Sequence, residues 1–323
     1  FMKYFTLLAA VFISLNANAG KWDEMNYGPF LTTSLEIPGA GIANKAIAIR
    51  SNPLLHTLDN RFPDVQWYAA LPLHDFDIPW PAPDDWHHFR LGIQFEQLWQ
   101  AAISKMSGYH LLASNLPVRG QQRTLGEFDI IVNCNGRIEH WELAVKFYLG
   151  RHDLEQPSNW FGPNPEDRLD RKLNRLLDHQ LPLSKSPEAE TVLSRMNIKP
   201  ITQTACLVKG RLFYPWQEFI EGTAQFPACA NAGHLRGWWI TLPDFIRLFS
   251  STRVQWVYLE KHLWLSPIAA SDNLTLLNYA QALDLLQTSL GTQTTHVAMI
   301  DSLGQEISRG FVVSQDWLDR TRL

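Results

Sequence analysis

Residues 125–149 read LGEFDIIVNCNGRIEHWELAVKFYL, two apolar-rich runs joined by Cys134-Asn135-Gly136-Arg137. Asn-Gly between strand-like runs is the strongest short-range hairpin signal, because both central residues of a type I′ turn need positive φ. With Asn135 and Gly136 as the loop, Cys134 faces Arg137, Ile131 faces His140, Asp129 faces Glu142 and Glu127 faces Ala144. Side chains alternate along a strand, so Glu127, Asp129, His140, Glu142 and Lys146 share one face. Phe128, Ile130, Val132, Trp141, Leu143, Val145 and Phe147 fall on the other, as core.

Outward from this hairpin, Tyr109–Val118 reads as a strand. Before it, a helix is expected over Trp86–Met106, with Asp84 or Asp85 as N-cap and Leu91, Phe95, Leu98 and Ala102 as its apolar stripe. Pro53–Pro83 is a Pro-rich lead-in. After the hairpin, GRHDLEQPSNWFGPNP (150–165) is a loop. Asn164 then caps a helix that has Pro165 at its first position, acidic residues in its first turn, and runs to about Leu181. The rest alternates strand-like runs (Thr202–Lys209, Val254–Leu259, His296–Asp301, Ile307–Val313) with helices near Asp244–Phe249 and Leu274–Ser289. This order predicts an α/β (α+β) fold, a mixed sheet flanked by helices, with a core over 51–210 and a C-terminal α/β part over 211–323 packed on it.

The chain has 323 residues, 46% hydrophobic and 19% charged, enough to bury a real core. Its net charge of -4, from 28 basic and 32 acidic side chains, excludes a globally basic nucleic-acid coat but leaves room for a local basic groove. Cys134, Cys206 and Cys229 are too few and too scattered for a disulfide framework or a zinc site. Residues 1–19 look like an export signal, with Lys3, an apolar run over Phe5–Leu15 and Ala17-Asn18-Ala19 as the cleavage pattern. That run is too short to span a bilayer, and no integral membrane contact is expected. Residues 20–50 are irregular, resemble the start of unrelated secreted bacterial proteins, and read as foreign to the core.

The chemistry lies on the polar face of the hairpin. Two carboxylates directly opposed across strands repel, and a divalent cation removes that penalty; hard oxygen ligands suit Mg²⁺ or Mn²⁺. The alternative is a solvated strand face whose acids interact only weakly. Glu96, at the margin of the first helix's apolar stripe, is either a third acid turned toward the sheet or an ordinary exposed glutamate.

A helix bearing Glu (LGIQFEQLW), a strand bearing Asp (GEFDIIV) and a strand bearing an acid and Lys (ELAVK) resemble the PD-(D/E)xK nuclease core, whose fold is that of restriction endonucleases. Together with HWELAVKFYLG and DRLDRKLNRLLDHQL, the same strings resemble a bacterial family, domain of unknown function eighteen fifty-three, from about Ser51 onward. The resemblance implies Asp129 and Glu142 as metal ligands, Lys146 as the catalytic lysine and Glu96 as the helix acid. It also implies a cytoplasmic core, against the export signal. The sequence departs from the motif at one point: the acid should stand two residues before the lysine, where Ala144 stands. Glu142, or Glu127 from the neighbouring strand, then takes the missing ligand's place, or the site only binds.

Arg168, Lys172, Arg175 and His179 recur on one stripe of the helix after Pro165. They either track phosphates or form a solvated face paired with nearby acids. Gln180 could reach the metal face, as the resemblance implies. Trp238, Trp239, Trp256 and Trp264 serve either base stacking or core packing, and Cys206 reads as a small buried hydrophobe. Nucleophile-elbow, HExxH, Walker and dinucleotide signatures are absent. Three functions follow: a metal-dependent nuclease acting on DNA or another nucleic acid, a catalytically silent nucleic-acid-binding or interaction module, and, with the export signal taken literally, a secreted glycan-active protein.

Overall fold

A computed structural model describes residues 48–57, 59–73, 90–265, 267–268, 274–291 and 294–322. The signal-like residues 1–19, most of the irregular 20–50 segment and the expected cap at Asp84 or Asp85 lie outside them. The described elements run α1 (Val65–Ala69), α2 (Leu91–Lys105), β1 (Tyr109–Arg119), β2 (Thr124–Cys134), β3 (Arg137–Gly150), β4 (Trp160–Phe161), α3 (Leu169–Arg175), α4 (Pro187–Arg195) and β5 (Gln203–Pro215). They continue with α5 (Trp216–Glu221), β6 (Leu235–Thr241), α6 (Leu242–Phe249), β7 (Gln255–Tyr258), α7 (Tyr279–Ser289), β8 (Thr295–Ile300), β9 (Glu306–Val313) and α8 (Gln315–Arg320).

The strands form one mixed sheet in the order β1-β2-β3-β5-β6-β9-β8-β7, with β4 added to β3. β3, β5, β6 and β9 are parallel, and antiparallel pairings close both ends. The fold is therefore mixed α/β, as expected. The line drawn at 210/211 falls inside β5, and β6 to β9 extend the same sheet. Among the described residues, no helix is long and apolar enough to cross a membrane.

The hairpin forms as read. Asn135 (φ 51°) and Gly136 (φ 92°) occupy the turn, and the pairs run from Cys134–Arg137 to Ile130–Trp141. One sheet face carries Trp141, Leu143 and Leu207 against Phe95, Leu98 and Trp99 of α2, with the Trp99 and Trp141 rings edge-on at 5.8 Å. Full burial of one such side chain stabilises by about 1.5–3 kcal/mol. The opposite face packs Ala144, Tyr148, Cys206 and Val208 against Leu169, Leu176 and Leu181. Ala48 and Ile49 are buried in the first cluster, so the residues just before Ser51 belong to the packed structure.

Three readings are corrected and one open alternative is settled. Phe128 leaves the face assigned to it and joins Val118, Ile131 and Ile138, its ring 4.7 Å from that of His140. The alternation of β2 breaks beside Asp129. The helix expected from Pro165 begins at Leu169, because Asn164 caps a turn instead: its Oδ1 accepts from the Glu166 N–H, and the Gly162 N–H donates to the Asp167 carbonyl. α3 then widens into a π turn at Leu176–Gln180 and tightens into a 3₁₀ segment at Leu181–Lys185. β6 was not expected at all. Trp238 and Trp256 are fully buried, which removes them from base stacking, while Trp239 and Trp264 donate to the carbonyls of Gly150 and Leu259. Cys206 is a buried hydrophobe, as read.

Gly210 faces Lys146 across the β3–β5 ladder at φ 135°, and a β-carbon there would sit 1.7 Å from the Lys146 carbonyl oxygen. Backbone strain of this kind costs a non-glycine residue about 1–3 kcal/mol before any clash is counted. Gly210→Ala should therefore lower the unfolding free energy by at least about 2 kcal/mol in urea titration. A loss under about 0.5 kcal/mol, the usual scatter of neutral substitutions, would mean the two strands separate freely here.

Candidate functional site

The β2–β3 ladder opens just beyond Ile130 and Trp141. Asp129 and Glu142 are therefore not a laddered pair, and Glu127 does not oppose Ala144; Glu127 pairs with Pro117 of β1 and is exposed. The cause is local. Oδ2 of Asp129 accepts from the Leu143 backbone N–H at 2.8 Å, so a side chain takes the ladder position that a main-chain carbonyl would fill. Asp129 is thereby held in the mouth of a fork between the two strands.

Glu142 lies in the same fork and is 1% exposed. Its Oε1 accepts a hydrogen bond from Nε2 of Gln180. Its Oε2 lies 3.6 Å from Nε2 of His140, itself a buried ring with neither nitrogen hydrogen-bonded. Burial, then the Glu142 charge, raise the Asp129 carboxyl to about 7. Burial raises Glu142 to about 7 as well, opposed by the Lys172 charge, a hydrogen bond with Asp129, the Arg175 charge and the hydrogen bond from Gln180. Two acids this close titrate as a pair. Burial pulls His140 down to about 4, so it is neutral beside them.

The π turn brings Gln180 over the fork. A π turn adds a residue to the helical repeat and so re-aims the side chains that follow it; such turns are frequent at functional sites. Gln180 also accepts from Nζ of Lys172 at 2.9 Å, giving a chain Lys172–Gln180–Glu142. Burial lowers the Lys172 ammonium, and Glu142 opposes that shift. Arg175 contributes its charge to Glu142 from an exposed position, and Arg168 is paired with Asp170 at 2.6 Å. The basic stripe thus divides: Lys172 turns inward to Gln180, Arg175 faces solvent over the site, His179 is exposed, and Arg168 is bound to its neighbour.

Lys146 is directed elsewhere. Its Nζ lies 2.6 Å from Oδ2 of Asp167, whose other oxygen accepts from the Tyr148 hydroxyl at 3.2 Å. Glu96 is half-buried on α2. Burial raises its carboxyl first, then the charge of Asp129, while a hydrogen bond with Asn115 opposes both. Glu96 therefore senses the fork from the α2 side. Among the described residues, no group of three or more His, Cys, Asp or Glu is arranged to hold a metal ion. The sequence reading placed His140 on this face without giving it a role; nothing in its spacing marks it.

A family model described as a domain of unknown function (DUF1853) matches residues 46–313. The chain belongs to that family. The match begins before Ser51 and spans the fork, the π turn and the whole sheet. No curated protein matches the chain. No solved structure matches it either.

The raised acids give a pH prediction. Between roughly pH 4 and 7 the folded protein keeps protons on Asp129 and Glu142 that the unfolded chain releases, so their contribution to stability falls as pH rises through that window and is level above it. Glu142→Gln removes one of these titrations. Relative to wild type, the variant should gain on the order of 2 kcal/mol between about pH 5 and pH 8, measured by urea unfolding at both values. The depressed His140 has the opposite slope, present in both proteins, and largely cancels in the comparison. An equal difference at both pH values would show that Glu142 titrates normally in the fold.

Proposed function

We propose that the DUF1853 chain is a metal-dependent phosphodiesterase acting on nucleic acid, of PD-(D/E)xK type, with Asp129 and Glu142 holding Mg²⁺ or Mn²⁺. The observation that carries this is the pair itself: two carboxyls buried side by side in the fork, Asp129 and Glu142, whose mutual hydrogen bond requires a shared proton. Two buried acids held this close repel once both are ionised, and a divalent cation between them removes that penalty. Two carboxylates suffice for Mg²⁺, which keeps several waters and takes further oxygens from substrate phosphates. When bound, the metal supplies a water of lowered pKa and neutralises charge on the scissile phosphate.

The chain's own residues then have distinct tasks. The Leu143 N–H orients Asp129, and Gln180 orients Glu142 while presenting Lys172 to the same place. Arg175 and the exposed part of the α3 stripe supply the positive field that attracts a phosphate backbone. Glu96 sits where it would accept a proton or order a water on the α2 side. The Ala144 departure fits this arrangement: Glu142 serves as the strand acid, position 144 carries no lysine, and Lys172 brings an ammonium from the helix.

A silent nucleic-acid-binding module is the second reading, favoured by the lack of a three-residue ligand cluster among the described residues. Incubation of the full chain with plasmid and with single-stranded oligonucleotide, in Mg²⁺, Mn²⁺ or chelator, separates the two. Cleavage that requires metal supports the enzyme. Binding that persists in chelator, with no cleavage under any condition, supports the module.

A further inference from the structure

On the sheet face opposite Gln180 and Lys172, β5 buries two cations in succession. Lys209 is 1% exposed and Arg211 is 7% exposed, and they stand one pleat repeat apart on the same side of the strand. Among the described residues, neither has an acid for a partner. The Lys209 ammonium donates to the Ser51 carbonyl and lies 3.3 Å from the centre of the Tyr68 ring. Nη1 of Arg211 donates to the Arg236 carbonyl at 2.5 Å. Carbonyls and a ring face soften the burial of a cation without cancelling its charge.

The other charged groups near Arg211 do not close the account. Glu306 is engaged by Arg309 through two bonds of 2.6 Å and also accepts from the Ile268 N–H. Arg309 adds a positive charge, and burial holds His296 neutral between the rings of Phe311 and Trp264. A buried cation without a counter-charge costs several kcal/mol; burial pulls the Lys209 ammonium well below its usual value, whereas the Arg211 guanidinium does not shed its proton to escape that cost. Lys209 and Arg211 both line a cavity of about 10 Å³, walled by Ser51, Phe147, Leu235 and Trp264. That is room for one water or one monatomic ion, in a pocket that is partly open to solvent.

We propose that this cavity is a binding site for a monatomic anion, a halide such as chloride, held between Lys209 and Arg211. The anion would supply the charge that the described side chains lack, in a pocket whose remaining walls are apolar and aromatic apart from Ser51. It would also fasten β5 at Gly210, the residue between the two cations, to the Ala48–Ser51 segment and to Trp264. The site is independent of the metal-binding fork and stands whether or not the protein cleaves nucleic acid.

The experiment follows thermal unfolding of the full chain as sodium chloride replaces sodium gluconate at constant ionic strength, since gluconate is too large for the cavity. Wild type should gain melting temperature in proportion to the logarithm of chloride concentration, the form that binding to the native state alone requires. Arg211→Met and Lys209→Met should each weaken the apparent chloride affinity at least tenfold. No difference between chloride and gluconate would overturn the proposal, as would an unchanged chloride response in both variants. Should the variants fail to fold, crystals of wild type grown in sodium bromide decide it: anomalous density between Lys209 and Arg211 supports the site, and density for water only, with no bromide, overturns it.

Discussion

Glu142→Gln should abolish Mg²⁺-dependent cleavage of nucleic acid, with a fall of about three orders of magnitude or more, the upper range for loss of one group that stabilises developing charge. The substitution keeps the side chain's shape, and its amide oxygen still accepts from Gln180, so the protein should fold. What it removes is the negative charge at the inner end of the fork. Asp129→Asn should fail similarly. The asparagine oxygen can still take the Leu143 N–H, so the fork's geometry survives while half of the metal-binding charge is lost. Isothermal titration with Mg²⁺ checks the cause directly: wild type should bind, and both variants should bind at least tenfold more weakly. Cleavage at wild-type rate in Glu142→Gln, or equal Mg²⁺ affinity in all three proteins, would remove these two acids from the chemistry. A complete absence of cleavage in wild type, together with chelator-insensitive nucleic-acid binding, would leave the silent module standing.

The hairpin was legible because one dipeptide fixes it. Asn135-Gly136 dictates the turn, the turn dictates the register, and the register holds from Cys134–Arg137 to Ile130–Trp141. Beyond that point a sequence-based register fails for a physical reason: the Asp129 side chain competes for a backbone N–H and ends the ladder, which no alternation pattern encodes. The same competition turns Phe128 to the other side. The start of α3 was misplaced because Asn164-Pro165 is equally good chemistry for a turn and for a helix N-terminus. The π turn was invisible, since Leu176–Gln180 has ordinary helical periodicity, yet it determines where Gln180 points. Lys209 and Arg211 were missed for the opposite reason. Nothing in the run CLVKGRLFY marks its lysine and arginine as buried, whereas a strand central to a sheet covered on both faces buries them.

The two lysines near the fork give the sharpest separation of roles. Lys146 occupies the strand position that the PD-(D/E)xK resemblance assigns to catalysis, but its ammonium is 2.6 Å from Asp167 and so already has its counter-charge. Among the described residues, Lys172 has no carboxylate within ion-pair distance; its hydrogen bond runs to Gln180, which passes the interaction on to Glu142. A substrate phosphate entering the fork would meet an ammonium that is incompletely compensated at Lys172 and fully compensated at Lys146. Attraction that grows as charge develops on the phosphate is what lowers a barrier, so the uncompensated group contributes more to the transition state than to the resting protein. Lys172→Met should therefore reduce cleavage by about two orders of magnitude, whereas Lys146→Met should cost less than about tenfold. Lys172→Met should leave Mg²⁺ affinity unchanged or slightly higher, because a cation near the acids has gone. Its defect should lie in kcat, and Lys172→Arg should restore part of the rate. A loss in Lys172→Met that tracks a fall in melting temperature, with no partial rescue by arginine, would mean that Lys172 only braces Gln180. A hundredfold loss in Lys146→Met with Lys172→Met unaffected would return the catalytic lysine to the strand and require Asp167 to release it when substrate binds.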